Sequence, residues 1–242
     1  MNKYHALMAS ALYLKQMEVG PMQNFVYLVG DQNTREALVV DPAWEVDTIL
    51  KAAEKENFKV VGALVTHTHF DHVNGLEELL QKTDGAVYIN KNEAEFLKGI
   101  IPPPEFGPKG QSAFGKFSGG GMKGNIKKME GGDRIKIGSI EINFIHTPGH
   151  TPGSQCFLVD KNLISGDTLF INACGRCDLP GGNAEEMYHS LNQLAKLDES
   201  TILYPGHNYA DEPTSTIADE KQFNPYLQTA NLEDFLKYRM GY

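Results

Sequence analysis

Residues 60–72, "VVGALVTHTHFDH", carry a strand-length apolar run that gives way at once to three histidines and an aspartate. A short valine-rich run of this kind reads as a strand buried on both faces. Such a strand has to be covered by further layers of structure. The neighbouring segments supply them. "ALYLKQMEV" and "NFVYLVG" alternate or run apolar at strand length, with "VGPMQ" as the turn between them. "EALVVDP" is a third strand ending at Asp41 and Pro42, and "EVDTILKAAEKENF" spaces Val46, Ile49, Leu50 and Ala53 as a helix does. After the histidine cluster, "NGLEELLQK" predicts a short helix capped by Asn74, and "GAVYIN" another strand. The alternation predicts strands and helices in layers.

The second half repeats the theme after an interruption. Residues 99–124 contain "IPPPEFGPKG" and "SGGGMKG", whose prolines and glycines disfavour helix and ladder alike, so a long loop is expected there. "DRIKIGSIEINFIHTPG" then reads as two strands around a Gly138-Ser139 turn, followed by the strands "SQCFLV" and "NLISGD". "AEEMYHSLNQLAKL" is an amphipathic helix, "TILYPGH" a strand ending in His207, and "NLEDFLKYRM" a terminal helix. No fixed-period repeat is visible. With 242 residues and 41% hydrophobic content, the chain reads as one domain spanning 1–242.

A formal net charge of -9 removes the electrostatic attraction on which nucleic-acid binding mostly depends. No apolar run approaches the roughly 20 residues that cross a bilayer. "HALMASALYL" has a single Lys3 before it and runs into Lys15 and Glu18 without a small-residue cleavage site, so it reads as a lead-in to the first strand rather than a signal peptide. Three cysteines, Cys156, Cys174 and Cys177, are too few for a disulfide framework and favour a reducing compartment, the cytoplasm.

His67 and His69 flank Thr68 at a strand end, so their side chains point the same way and can share one ion. Asp71 and His72 follow where the chain turns into a helix, in reach of a second ion. Alone, the cluster is equally compatible with a solvated turn. Three further stretches weigh against that: "HTPGHTPGS" sets His150 in a loop between strands, "LISGDTLF" ends a strand on Asp167, and "LYPGHNY" ends one on His207. Five of the chain's eight histidines thus stand where an apolar strand gives way to a loop, the usual mounting point of functional groups. His5, His146 and His189 lack that setting and receive no role.

The ordered series "HTHFDH", "TPGHTPGS", "SGDTLF" and "PGHNY", with "VVDPAW" upstream, resembles the metallo-β-lactamase fold of binuclear metallohydrolases over roughly Val19 to Leu227. The resemblance implies an α+β fold, a four-layer αββα sandwich with its metal site at one edge of two sheets. It assigns His67, His69 and His150 to one metal, Asp71, His72 and His207 to the other, and Asp167 to a bridge between them. Asp41 would orient the strand-end loops from behind. Such a mixed nitrogen and oxygen donor set suits two divalent ions, Zn2+ foremost, with Fe2+ or Mn2+ also able to occupy it. The chemistry implied is hydrolysis by metal-bound hydroxide, and no "GxSxG" nucleophile motif is present.

Within that fold, "CGR" at 174–176 is similar to the glyoxalase II branch, where a basic residue at this place holds the glutathione part of a thioester. Arg176 can pair with a substrate carboxylate, or tie its own loop to Asp178. Cys174 and Cys177 form a C-x-x-C without the strand-to-helix context of a redox motif. Tyr209 can donate to a developing oxyanion or serve as a packing aromatic, and Asp71 can steer the water proton. The tail is similar instead to persulfide dioxygenases, which share "CGRxD", "YHS" and "STI" followed by "NP". That branch implies one iron(II) held by His67, His150 and Asp167. Against it, Phe70 inside "HTHFDH" is more typical of the hydrolases. The reading favours a small-molecule thioester, such as an acyl-glutathione, as substrate. The 99–124 loop is expected to cover the metal edge. Acyl group, thiol carrier and oligomeric state have no signature in the sequence.

Overall fold

A computed structural model describes residues 10–97 and 125–241. The loop expected at 99–124 and the lead-in before residue 10 lie outside the described residues. The first half builds β1 (Leu12–Val19), β2 (Asn24–Asp31), β3 (Glu36–Val40), α1 (Val46–Lys55), β4 (Lys59–Val65), the single-turn α2 (Phe70–Val73), α3 (Leu76–Thr83), β5 (Ala86–Asn90), α4 (Ala94–Leu97) and β6 (Asn125–Met129). The second half builds β7 (Arg134–Ile137), β8 (Ile140–His146), β9 (Gln155–Val159), β10 (Asn162–Gly166), β11 (Leu169–Phe170), β12 (Ala173–Cys174) and α5 (Ala184–Leu194). It ends with β13 (Ile202–Pro205), β14 (Ser215–Thr216), α6 (Ile217–Phe223) and α7 (Leu232–Met240).

The strands form two six-stranded sheets, ordered β1-β2-β3-β4-β5-β6 and β14-β13-β10-β9-β8-β7. Side-chain alternation divides each buried strand between two cores. Phe25, Tyr27 and Val29 of β2, Leu38 and Val40 of β3 and Leu64 of β4 point inward, where they meet Ile142, Phe144, Phe157 and Ile164 of the other sheet. Val26, Leu28, Val39, Ala63 and Val65 point outward instead, against Val46 and Ile49 of α1 and Leu76 and Leu79 of α3. On the far side, Cys156, Leu163 and Leu203 lie under Met187 and Leu191 of α5, Ile217 of α6 and Phe235 of α7. The layers are therefore helices, sheet, sheet, helices: a four-layer αββα sandwich. Each fully buried aliphatic side chain contributes about 1.5–3 kcal/mol relative to exposure, so the near-continuous apolar strands at its centre specify the double-sided cover.

Local differences from the sequence reading have plain causes. Asn74 does not cap α3: Gly75 holds that position without a side-chain hydrogen bond, and Asn74 instead ends α2, because the histidine cluster closes into a turn of its own just ahead of α3. Side-chain caps form in the second half: Asn183 Oδ1 accepts from the amides of Glu185 and Glu186 at 3.0 and 3.1 Å on α5, and Thr216 and Asn231 cap α6 and α7 in the same way. At the far end of β2 from Asn24, Asp31 reaches across to the other sheet's hairpin and accepts from the Ser139 amide at 2.5 Å and its hydroxyl at 2.8 Å. Among the described residues no helix is long and apolar enough to cross a membrane.

Parallel pairing decides where a site can sit. β3 and β4 are parallel in the first sheet, and β10 and β13 in the second. Their carboxyl ends are followed by Asp41, by residues 66–72, by Asp167 and by His207 respectively, and it is outside such ends that α/β sheets bind ligands.

Candidate metal centre

Past the end of β4 the chain bends at Thr66 and runs irregularly to His69, and the two histidines on either side of Thr68 converge. His67 Nε2 lies 3.1 Å from His69 Nδ1. The His150 ring closes the group, 4.8 Å from His67 and 4.4 Å from His69 between centroids. Ligand-competent atoms of these three residues all fall within 4.8 Å of one another. The rings are held from behind: His67 Nδ1 lies 3.0 Å from Thr66 Oγ1, and His150 Nδ1 donates to the carbonyl of Arg176 at 2.8 Å. A ring nitrogen engaged on one side leaves the other to face inward with its lone pair.

A second trio, Asp71, His72 and His207, meets the same distance limit. His72 Nε2 stands 3.1 Å from His207 Nε2. Behind them, His72 Nδ1 donates to Asp41 Oδ2 at 2.9 Å and His207 Nδ1 to the Met22 carbonyl at 2.9 Å. Asp167 stands between the trios, with carboxylate oxygens 3.3 Å from His72 Nε2, 3.4 Å from His207 Nε2 and 3.5 Å from His150 Nε2. Asp41 also falls close to His67 and His72. Its oxygens are already engaged, however, by the Thr66 amide at 2.7 Å, the Thr66 hydroxyl at 2.6 Å and His72. Its geometry is that of an orienting group.

The donor atoms fit cations. Two nitrogens bound tetrahedrally to one zinc at 2.0–2.1 Å are about 3.3 Å apart, close to the 3.1 Å separations in both trios. Two of the converging atoms, His150 Nε2 and Asp167 Oδ1, are buried without a hydrogen-bond partner, an expense that a bound ion removes. Electrostatics differ between the trios. Burial, with the neighbouring imidazoles, holds His67 well below the ordinary histidine range and pulls His69 down to about 3; burial lowers His150 as well. These rings are neutral at pH 7 and offer lone pairs. For His72 and His207 burial acts in the same direction, but the facing carboxylates of Asp167 and Asp71 outweigh it and raise both. The same histidines hold Asp167 well below the usual carboxylate range against its own burial. Negative charge that retains protons there is charge for which a divalent cation competes.

Tyr209 stands at the rim, 60% exposed. Its ring stacks on His207 at 4.6 Å and 9°, and partial burial, with the nearby Asp167 and Asp71 carboxylates, pushes its pKa up to about 12. Arg176 points outward into a two-pronged pair with Asp178, at 3.0 and 2.7 Å, while its carbonyl orients His150. Gly175 beside it allows no side chain: a Cβ would fall 1.9 Å from the Asp167 carbonyl oxygen. Cys174 and Cys177 are buried free thiols whose pKa values burial raises.

Sequence spacing missed two participants. Asn24 Nδ2 donates to Asp71 Oδ2 at 2.9 Å and is itself oriented by Trp44 Nε1 on its Oδ1 at 3.2 Å. Its only cue is a polar residue opening an apolar strand. Glu93, buried after β5, accepts from the Thr68 amide at 3.1 Å and the Gly153 amide at 3.0 Å. Nothing in "NKNEAEF" distinguishes it from a solvated turn.

Comparison with known proteins bears on this geometry. The chain is 30% identical over 217 residues to the "Probable polyketide biosynthesis zinc-dependent hydrolase BaeB" of Bacillus velezensis, covering 89% of this chain and 87% of that one. It is 30% identical over 237 residues to "Persulfide dioxygenase ETHE1, mitochondrial" of Bos taurus, covering 96% and 82%. Among solved structures, ETHE1 from Myxococcus xanthus superposes with a TM-score of 0.78 at 28% identity, covering 94% of this chain and 90% of that one. The di-iron-bound form of TTHA1623 gives 0.70 at 28% identity, covering 88% and 100%. Residues 19–207, a span that holds both trios, Asp41 and Asp167, match the Metallo-beta-lactamase superfamily, and with the αββα sandwich and its edge site in place the chain belongs to that superfamily.

Proposed function

We propose that this protein is a metal-dependent hydrolase of small thioesters, acyl-glutathiones being the leading class, with two divalent cations, most simply zinc, in the two trios. The observation that carries the reading is the convergence of both trios on Asp167. In it His67, His69 and His150 hold one cation, Asp71, His72 and His207 the other, Asp167 lies between, and Asp41 orients His72. Such cations would lower the pKa of bound water to about 7 and polarise a substrate carbonyl.

The chain's own groups do the rest. The first trio supplies neutral nitrogens, since burial keeps its imidazoles deprotonated. Asn24 fixes the Asp71 carboxylate, so that its orientation is set before a proton has to be steered. Tyr209 retains its proton at neutral pH and can donate to a substrate oxygen that gains charge. Arg176 meets a substrate carboxylate by exchanging its exposed partner Asp178. The buried thiols of Cys174 and Cys177, raised in pKa, are poor nucleophiles, which leaves the work to the histidine and aspartate centre. The partners are then small thiol-derived molecules rather than nucleic acid or membrane, and the three free cysteines are what a reducing cytoplasm maintains.

A second reading has one observation in its favour: the match to the protein named persulfide dioxygenase extends over 96% of the chain. In that reading His67, His150 and Asp167 hold a single iron(II). Metal analysis of protein purified without added metal, with two assays, separates the two. Two cations per chain and turnover of an acyl-glutathione support the hydrolase. One iron per chain and oxygen uptake with glutathione persulfide, without thioester turnover, refute it.

A further inference from the structure

The first trio is assembled from separate pieces of chain. His67 and His69 follow β4, while His150 lies beyond β8, more than seventy positions later. At their base the two sheets are tied by the Gln155 amide, which donates to the Thr66 carbonyl at 3.0 Å, and by Gln155 Nε2, which donates to the Val65 carbonyl at 2.8 Å, but neither bond reaches Thr68 or Gly153 in the turns themselves. There it is a carboxylate that bridges them. Glu93, 1% exposed, accepts through Oε2 from the Thr68 amide at 3.1 Å and from the Thr68 hydroxyl, and through Oε1 from the Gly153 amide at 3.0 Å. Thr68 stands between His67 and His69, and Gly153 closes the turn that presents His150. Gly153 is required for the approach: a Cβ there would lie 2.3 Å from Glu93 Cγ. The adjacent Asn92 adds a bond from its Nδ2 to the Pro152 carbonyl at 3.2 Å.

A buried carboxylate is costly unless both oxygens are satisfied. Here they are satisfied by the two turns, and among the described residues no lysine or arginine pairs with Glu93. We propose that Glu93 is a positioning residue that locks the His67/His69 turn to the His150 turn, so that the first trio is preformed as one unit. The inference rests on the metal-centre reading above. It concerns one trio only, because Asp71, His72 and His207 are held by Asn24, Asp41 and the Met22 carbonyl instead.

The test is cation affinity, measured by titrating Zn(II) into chelator-stripped protein in competition with a chromophoric chelator. His150→Ala and Asp71→Ala assign the two affinity classes to their trios. Glu93→Gln replaces an acceptor with an N–H2 group facing a donor, and Glu93→Ala removes the link. Both are expected to weaken the first class roughly ten- to hundredfold, the range for orienting partners of metal ligands, and to leave the second unchanged. Thr68→Val, which deletes only the hydroxyl bond, is expected to weaken the first class by less, and it decides the matter should the Glu93 variants fail to fold. Equal weakening of both classes, or no change in the first, overturns the proposal. If the wild type takes up one cation, the two-cation reading fails, and Glu93 is judged on that class alone: weakened supports the lock, unchanged overturns it.

Discussion

Asp41→Asn bears above all on the orientation of one ring, His72. Asp41 sits at φ 49°, a left-handed conformation that asparagine also adopts readily, so the backbone tolerates the change. The amide oxygen keeps the bond from the Thr66 amide, now 2.7 Å, and the Thr66 hydroxyl can rotate to accept from the new N–H2 group. His72 cannot adapt so cheaply. Its Nδ1, 2.9 Å from Asp41 Oδ2, would face a donor. Either the ring moves its proton to Nε2 and loses the lone pair aimed at the site, or it keeps Nδ1–H buried without an acceptor. The second course costs about 1–3 kcal/mol. That agrees with the roughly ten- to hundredfold loss of metal affinity, about 1.4–2.7 kcal/mol, typical when such a partner is removed. The expected result is therefore a weakening of that size in the Asp71/His72/His207 class, larger than any change in the first class, whose His67 shares the Thr66 hydroxyl at 3.0 Å, in the chelator competition assay with near-UV circular dichroism unchanged. A folded Asp41→Asn protein that takes up both cations at wild-type affinity would refute the reasoning.

Gly175→Ala places a Cβ 1.9 Å from the Asp167 carbonyl oxygen. The loop must shift and take the Arg176 carbonyl off His150, so the first cation should bind at least roughly tenfold more weakly in the same titration. Asp31, held down at about 2 by the Ser139 and Asn33 amides, has a folded pKa below its ordinary 3.8. Its contribution to stability is therefore complete above about pH 4 and is lost as pH falls toward 2; urea midpoints measured across that window should fall less steeply in Asp31→Asn. Phe235→Ala removes a fully buried ring of α7 beside Tyr188 and Tyr226. The cost is about 3–5 kcal/mol, or a melting temperature lower by roughly 6–20 °C at 2–4 °C per kcal/mol. An unchanged melting temperature would show that the tail does not dock as described.

Legibility in the sequence followed burial. β2, β3 and β4 are apolar nearly throughout, and runs such as "NFVYLV" and "VVGALV" declare strands covered on both faces. β6, "NIKKM", does not: it is an edge strand whose lysines face water, and lysine on an edge suppresses strand signals while protecting against further pairing. α6 buries only Ile217 and Glu220, too little for a visible stripe. At the site, the two histidine-and-aspartate trios could be read because metal-competent side chains at strand ends are rare. Asn24 and Glu93 could not, because their roles depend on partners 47 and 60 positions away in the chain, and a single hydrogen-bonding side chain leaves no local pattern.

Each trio draws on both halves of the sandwich: His67 and His69 precede residue 98 while His150 follows residue 124, and Asp71 and His72 are likewise joined by His207. Any ion seated in either trio is thus a further rivet between two sheets that a few hydrogen bonds already join, and its grip adds directly to the folded state, by about 2.7 kcal/mol for each ion present at a hundred times its dissociation constant. Scarcity of metal would then do more than idle the centre. It would loosen the seam between the halves, coupling the supply of a trace element to how long the polypeptide survives.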